Sequence, residues 1–319
     1  MKDKERVAAI SVLSNTTLTV SKVGVGLLTG SVSIVSEGIH SGIDLIAAII
    51  ALFAVRQSGK PADERHSFGH GKIENVSGTI EALLIFIAGV WIIIEAIHKF
   101  TSGVSVEKVE IGMIVMALSA LVNFFVSNLL MKVARKTDSI ALEADALHLR
   151  TDVYTSVGVF MGLALMAITG WSFFDPLIAI AVAILIIKAS IDLTREAFMP
   201  LVDVSIPKQE YEVIIEVLDS YSEHFVEFHE LRTRRSGSER HIDLHLVVPK
   251  FSPIIKVHQL CDHIESDIRS KIPYTNILIH AEPCGSPEEP CTTGTDHNRS
   301  CKNCSNRKTF VKLGKEQDI

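Results

Sequence analysis

The chain has 319 residues, of which 47% are hydrophobic and 21% are charged, and its mean hydropathy is +0.31. This balance is too apolar for an ordinary soluble protein of its size, yet it includes enough charge to require a part outside a membrane. The formal net charge of -6 gives no reason to expect a nucleic-acid partner.

Six segments are each long enough to cross a bilayer as a helix, which takes about 20 residues. They cover residues 7–28, 34–55, 80–97, 109–133, 141–168 and 173–191. The first, second and fifth also contain charged or amide side chains, so we expect them to line the interior, whereas the third and sixth are typical of outer helices. Lys and Arg concentrate in the connections on one side, which predicts a multi-pass protein of the cell membrane with both termini in the cytosol.

The second and fifth segments carry the same pair of side chains, His40 with Asp44 and His148 with Asp152. Residues four apart share one face of a helix, and ionisable groups in hydrocarbon are costly unless they face protein, water or a ligand. If the two faces meet, two imidazoles and two carboxylates form a cage that suits tetrahedral Zn²⁺ and also accepts other divalent ions. The alternative is that each pair only hydrogen-bonds a neighbouring helix, but the repetition favours the metal site.

A second candidate metal site follows the second segment, in the connection PADERHSFGHGK. Asp63, His66 and His70 are close enough in sequence there to chelate an ion locally. The alternative interpretation is that His66 to His70 form a glycine-containing turn that begins the third helix.

Beyond Arg195 the composition becomes that of a small soluble domain. Periodicity predicts a helix after Pro207, two strands joined at a Ser-Gly pair, an amphipathic helix and a closing strand. This order suits a ferredoxin-like α+β domain. The predicted organisation is a six-helix transmembrane domain over residues 1–204, a cytosolic ferredoxin-like domain over 205–284 and a tail over 285–319 that we expect to be unstructured.

The cysteines concentrate towards the end of the chain. Four thiolates are enough to bind Zn²⁺, although a lone C-x-x-C with Pro-rich and Thr-rich spacers is weak evidence for a site. The four candidates are Cys284, Cys291, Cys301 and Cys304. Cys261, within the amphipathic helix, is predicted to be a core residue.

Both His-x-x-x-Asp pairs, the run PADERHSFGHGKIE, and HELRTR, HIDLHL and IHAEP in the soluble domain together resemble the cation diffusion facilitator family. The resemblance extends over residues 7–283. It implies a homodimeric exporter with six membrane helices per subunit, a cytosolic ferredoxin-like domain, and exchange of a divalent metal ion for protons.

Position by position, the resemblance implies that the two His-Asp pairs form the transport site and that Asp63, His66 and His70 form a loop metal site. It also implies metal ligands in the cytosolic domain, some of them contributed across the dimer. These are His229, His245, His258, His280 and Glu282. Lys72 and Asp203 resemble a charge pair that acts as a hinge between the membrane and cytosolic parts. The alternatives are ordinary surface histidines and a solvated lysine.

These observations predict a divalent metal efflux transporter. We favour a Zn²⁺/H⁺ antiporter working by alternating access, with Zn²⁺ also a structural or regulatory ion, because Mn²⁺ prefers more oxygen donors than this set offers. The same architecture exporting Fe²⁺, Mn²⁺, Co²⁺ or Cd²⁺ is one alternative, and a non-conducting membrane metal sensor or assembly scaffold is another. We find no H-E-x-x-H sequence, Walker loop or nucleophile motif, and we expect no enzymatic activity.

Overall fold

The computed structural model of the protein describes residues 2–29, 32–102, 110–169 and 174–284. The predicted tail ligands Cys291, Cys301 and Cys304 lie outside these residues. Internal contacts divide the chain into two units. The first comprises the residues up to Val202 together with Ser236–Ser238, and the second comprises Asp203–Arg235 and the residues from Glu239 onward.

Six long helices build the described part of the first unit. They are α1 (Lys2–Thr29), α2 (Val32–Ser58), α3 (Lys72–Ser102), α4 (Glu110–Thr137), α5 (Ile140–Thr169) and α6 (Phe174–Phe198), and a short 3₁₀ helix, Met199–Val202, follows them. Four of the helices contain segments that are long and apolar enough to cross a membrane: Gly38–Ser58, Lys72–His98, Ala117–Thr137 and Pro176–Val202. The other two, α1 and α5, bury polar side chains, as expected for helices that line an interior.

The helices pack through small side chains. Alanines on α1, α2, α4 and α5 are fully buried in one shared core, and alanines on α3 and α5 are buried in a second core with α6. Small residues allow helix backbones to approach closely, which is how membrane helices gain packing energy without a hydrophobic drive between them. Helix α5 contributes to both cores, so its polar face lies at the centre of the unit.

The third helix extends beyond its predicted membrane-spanning segment. It begins at Lys72, eight residues before the segment over 80–97, and its first turns bury Glu74, Asn75 and Ser77, with Glu81 following. A hydropathy window ends where polar residues begin, but Glu74 and Asn75 have hydrogen-bond partners outside α3. Ser77 instead donates to Glu81 of the same helix. Because these polar groups are buried, α3 is not a purely outer helix.

The second unit has the predicted order of elements. These are α7 (Lys208–Ser220), β1 (Glu227–Ser236), β2 (Glu239–Val248), α8 (Ile254–Lys271) and β3 (Thr275–Pro283). The strands form one sheet in the order β1-β2-β3, and β2 runs parallel to β3 with His245 opposite His280. The apolar stripe of each helix packs on one face of this sheet around Leu244 and Leu246, which are fully buried.

Candidate functional site

The four residues of the predicted intramembrane cage converge in the first unit. Donor atoms of His40 and Asp44 on α2 and of Asp152 on α5 all lie within 4.8 Å of one another. His148 on α5 completes the group, because its Nε2 lies 2.9 Å from Asp44 Oδ1. Asp44 and His148 are only 4% and 6% exposed. The pairs therefore meet as their spacing predicted, although binding of a metal there stays a prediction.

Close contact between α1 and α2 brings a lysine to the edge of this cage. A Cβ atom at Gly38 would lie 2.6 Å from Val23 Cγ2 and 3.0 Å from Val23 N, so only glycine permits the approach. Lys22, beside Val23, donates a hydrogen bond to Ser41 Oγ at 2.8 Å. Ser41 precedes Asp44 by three residues on α2, so the Lys22 ammonium group lies next to the cage.

An asparagine on α4 orients one of the cage carboxylates. Asn123 Nδ2 donates to Asp152 Oδ2 at 3.2 Å, and Asn123 is itself buried. Groups that hold ligands from behind tune metal affinity and fix ligand orientation. Sequence reasoning missed Asn123, since an isolated asparagine in an apolar helix carries no spacing signal.

Two further carboxyl groups are buried close to the cage. Glu81 on α3 and Asp145 on α5 are 0% and 1% exposed, and Ser77 Oγ lies 3.4 Å from Glu81 Oε1. Asp145 precedes His148 by three residues, about one helical turn. The described interior near the cage therefore has two buried carboxyl groups besides those of Asp44 and Asp152, and Glu81 was not expected on a helix predicted to be an outer one.

Glu74 joins four helices at the end of the unit that carries the 59–71 connection. Its Oε1 accepts hydrogen bonds from Lys4 Nζ of α1 at 3.1 Å and from Ser58 Oγ of α2 at 2.7 Å. Its Oε2 accepts one from Ser139 Oγ at 2.5 Å, immediately before α5. With Glu74 itself on α3, this buried carboxylate is a four-helix clamp.

The predicted loop ligands also lie together. Asp63 Oδ1 is 3.3 Å from His66 Nδ1, and Asp63 Oδ2 is 3.3 Å from His70 Nε2. Hydrogen bonds from the backbone N–H groups of His66 and then Arg65 hold the pKa of Asp63 below its usual value, so the carboxylate is ionised and available. The connection is a turn as well, since Gly69 has a φ of +80° and α3 begins three residues later. The two interpretations of this segment are compatible.

Four of the five predicted cytosolic ligands cluster on the sheet of the second unit. Glu282 is the centre: its carboxylate oxygens lie 2.9 Å from His245 Nδ1, 3.5 Å from His229 Nε2 and 3.6 Å from His280 Nε2. Donor atoms of His229, His245 and Glu282 lie within 4.8 Å of one another. Two nitrogens and one carboxylate oxygen at this separation suit a divalent ion.

One predicted ligand does not join this group, and one neighbour was missed. His258 on α8 contacts Asp262 instead, with 3.6 Å between Nε2 and Oδ2. Glu230 was not anticipated, yet its Oε2 lies 3.7 Å from His245 Nε2. Its backbone φ of +49° departs from the strand conformation that alternation alone would predict.

The predicted hinge residues have other partners within their own units. Lys72 Nζ lies 3.4 Å from the Leu201 carbonyl oxygen in the first unit. Asp203 Oδ1 lies 3.3 Å from Arg234 Nη1 in the second. A hinge made by Lys72 and Asp203 would require a contact between the two units, so this charge pair stays a prediction.

The two described cysteines are both buried. Cys261 packs in the core of the second unit, as predicted, and burial raises the pKa of its thiol. Cys284 ends the described chain, where its N–H donates to the Val248 carbonyl oxygen at 2.9 Å.

Comparison with known proteins identifies the family. Residues 8–202 match the model of the cation efflux transmembrane domain, and residues 206–284 match that of the cation efflux protein, cytoplasmic domain. The chain belongs to the cation diffusion facilitator family. The uncharacterized transporter sll1263 of Synechocystis sp. is 35% identical over 84% of this chain and 86% of its own length. The cation-efflux pump FieF of Escherichia fergusonii is 32% identical over 80% of this chain and 85% of its own.

The comparison with solved structures also finds one isolated domain of a transporter. It is the metal-bound C-terminal domain of the CzcD transporter from Thermotoga maritima, which is 23% identical and covers 26% of this chain and 100% of its own, with a TM-score of 0.24. The two matching family models confirm the family, the helical transmembrane domain and the small α+β cytosolic domain that the sequence predicted. The protein is a membrane transporter for efflux of divalent metal cations.

Proposed function

We propose that this cation diffusion facilitator exports Zn²⁺ from the cytosol in exchange for protons, using His40, Asp44, His148 and Asp152 as its transport site. The observation that carries the proposal is the convergence of these four groups between α2 and α5. Each is costly in a membrane interior by itself, and together they form one set of donors for a cation.

The donor set supports Zn²⁺ as the substrate. Two imidazole nitrogens and two carboxylate oxygens match the small tetrahedral coordination of Zn²⁺. Mn²⁺ prefers a site richer in oxygen, and Fe²⁺ and Co²⁺ bind such a mixed set less tightly than Zn²⁺ in the usual order of divalent affinities. All of these ions, Cd²⁺ included, carry the same charge, so transport measurements decide among them.

The contact between His148 and Asp44 supports proton coupling. A separation of 2.9 Å between Nε2 and Oδ1 is that of a hydrogen bond. The two side chains that would coordinate the metal ion therefore share one proton. A metal ligand must be deprotonated, and metal binding therefore releases this proton. After the helices rearrange to open the other side, incoming protons compete with the ion and release it.

The remaining sites support a regulatory role for metal in a homodimer. We propose that Asp63, His66 and His70 bind an ion in the connection, and that His229, His245, His280 and Glu282 bind another in the cytosolic domain. If both subunits supplied ligands to the ion in the second site, with His258 as a ligand from the partner, the ion would hold the cytosolic domains of the dimer together. The Lys72–Asp203 pair is proposed as the hinge, and Cys284 with the three tail cysteines as a further zinc clip.

Transport by the purified protein in proteoliposomes tests the proposal. Zn²⁺, Mn²⁺, Fe²⁺, Co²⁺ and Cd²⁺ are offered in turn, and a pH-sensitive dye records proton flux in the opposite direction. We expect Zn²⁺ flux driven by a proton gradient, abolished in Asp44→Asn and unchanged in the matched control Asp219→Asn, an exposed residue of α7.

Two outcomes would redirect the interpretation. Flux of another ion with no Zn²⁺ flux would replace the substrate and keep the transport site. If Asp152→Ala transports normally while His245→Ala abolishes the metal response in cells, the cytosolic cluster would be the functional centre, and the sensor or scaffold would be the better description.

A further inference from the structure

A groove between α4 and α5 places a basic side chain within the transmembrane domain, outside the proposed metal cage. Its volume is about 470 Å³. Its lining residues are Phe124, Asn128, Arg150, Val153, Tyr154 and Val157. Arg150 follows His148 by two residues, so it points away from the cage.

The guanidinium of Arg150 has hydrogen-bonding capacity left over. It carries five N–H donors, and its hydrogen bond within the described residues is that from Nη2 to Asn128 Oδ1 at 3.1 Å. Arg150 is partly exposed, and Asn128 is exposed. An arginine at a membrane helix surface needs an anionic or polar partner, and guanidinium binds phosphate with paired hydrogen bonds.

Two further basic residues lie between Asn128 and the end of α4. Lys132 and Arg135 follow it by four and seven residues, so they lie on the same face, about one and two turns nearer Thr137. Both are exposed. Together with Arg150 they form a basic stripe, defined here as Lys132, Arg135 and Arg150, at the end of the groove nearest the α4–α5 connection.

The other end of the groove is apolar. Phe124 lies one turn deeper than Asn128 on α4, and Val153, Tyr154 and Val157 lie deeper than Arg150 on α5. Phe124, Tyr154 and Val157 are 48%, 56% and 49% exposed. The groove therefore has the polarity of a phospholipid, with positive charge where a headgroup lies and an apolar channel where an acyl chain lies.

We propose that an anionic phospholipid binds this groove, with its phosphate on the basic stripe and one acyl chain along Phe124, Val153 and Val157. Basic pockets between membrane helices on the cytosolic side are recognised binding sites for anionic headgroups. The same side is predicted to be cytosolic here from its Lys and Arg content. The site is separate from the metal cage and does not depend on the proposed ion or on proton coupling.

Native mass spectrometry of the full-length protein tests the proposal. The protein is treated with chelator, so that metal plays no part, and is titrated in detergent with phosphatidylglycerol or with phosphatidylcholine of the same chains. Each basic residue near a membrane surface contributes about a fivefold gain in affinity for anionic lipid. We expect Arg150→Gln and Lys132→Gln each to weaken phosphatidylglycerol binding about fivefold, and the double variant roughly 25-fold.

The matched control is Arg195→Gln, an exposed arginine on α6 outside the groove, which is expected to bind phosphatidylglycerol as the wild type does. Val153→Trp fills the apolar part of the groove and tests the acyl chain without altering charge; we expect it to weaken binding of both lipids. Lys132→Gln changes an exposed residue and keeps the test valid if Arg150→Gln does not fold.

Three results would overturn the proposal. Equal binding of the two lipids by the wild type would show that charge does not select the occupant. Equal losses in Lys132→Gln and Arg195→Gln would show that net charge, and not this groove, attracts the lipid. Full displacement of phosphatidylglycerol by millimolar inorganic phosphate would show that the stripe is a site for a free anion.

Discussion

His148 Nε2 on α5 lies 2.9 Å from Asp44 Oδ1 on α2, across 104 residues of sequence. This contact joins the two helices that carry the cage, and it places a shared proton at the proposed transport site. A cation bound there would displace the proton and would replace the hydrogen bond between the helices with coordination by both side chains. The proposed site therefore predicts that metal binding and the packing of α2 against α5 are linked.

Metal binding should release fewer protons when this hydrogen bond is changed. Glutamine in place of His148 can hydrogen-bond Asp44 but cannot carry an ionisable proton, so we expect His148→Gln to release about one proton fewer per bound Zn²⁺ than the wild type. The measurement is proton release on Zn²⁺ addition in weakly buffered detergent solution. His263→Gln, an exposed histidine of α8, is the matched control. Identical proton release by wild type and His148→Gln would contradict the coupling.

Asn123→Ala should weaken the transport site without removing a ligand. The variant loses the hydrogen bond from Nδ2 to Asp152 Oδ2, and removal of such an orienting group typically costs about 10- to 100-fold in metal affinity or activity. The measurement is the concentration dependence of Zn²⁺ transport in proteoliposomes. Ser127→Ala, one turn along α4, serves as control, because within the described part of the chain its hydroxyl donates to the Phe124 carbonyl oxygen of its own helix. Unaltered transport in Asn123→Ala would remove Asn123 from the site.

The cage shows how far the sequence could lead. The two His-x-x-x-Asp pairs specify both the residue types and the shared helix face, so the candidate ligands could be named before their distances were known. Asn123 and Glu74 could not be predicted in the same way. Each is a single polar residue whose role depends on which helix packs against it, and that partner is set by tertiary packing of alanines and glycines, not by local spacing.

The cytosolic domain repeats this lesson. Its order of helices and strands follows from periodicity. The sequence indicated that the histidines lie on different strands, but it did not give the register that places His245 opposite His280. His258 was grouped with them by resemblance, yet within one chain it contacts Asp262. A ligand contributed across a dimer would have no spacing signal in the sequence of one subunit.

The Glu74 clamp should be a major source of stability in the first unit. Glu74 is 1% exposed and accepts hydrogen bonds from Lys4, Ser58 and Ser139. Replacing the carboxylate by an amide leaves buried donors poorly matched, which costs about 1–3 kcal/mol. We therefore expect Glu74→Gln to lower the apparent melting temperature in detergent, and Glu64→Gln, at an exposed position of the connection, to leave it unchanged.

A double-mutant cycle separates the clamp from a general packing effect. Lys4→Met removes the charged donor of the clamp, so its cost should shrink when Glu74→Gln is already present. We expect a coupling of about 0.5–3 kcal/mol between the two sites, as for residues in direct contact. Strict additivity of the two variants would show that the 3.1 Å contact contributes nothing.

Cys261 should react slowly with alkylating reagents in the folded protein. It is 8% exposed, and burial, with smaller contributions from Glu265 and Asp262, raises the pKa of its thiol. Because the thiolate is the reactive form, maleimide labelling near neutral pH should require unfolding. The test uses a variant in which Ser replaces Cys284, Cys291, Cys301 and Cys304, labelled with and without denaturant. Rapid labelling in the native state would place Cys261 outside the core.

Tyr221, just past α7, should titrate at a higher pH than an ordinary tyrosine. Its hydroxyl donates to Asp267 Oδ2 on α8 at 2.6 Å, and this hydrogen bond, followed by partial burial, raises the pKa of Tyr221 above its usual 10.0. A raised pKa in the folded state means that the bond's contribution to stability is fully present below about pH 10 and is lost as the pH rises through the folded pKa.

Ultraviolet difference titration measures this shift in the full-length protein. Subtracting the curve of Tyr221→Phe from that of the wild type isolates the ionisation of Tyr221. We expect its midpoint to lie above the usual 10.0, and Asp267→Asn to lower it, because the amide lacks the negative charge that opposes phenolate formation. A midpoint that Asp267→Asn leaves unchanged would show that the link between α7 and α8 is not maintained in solution.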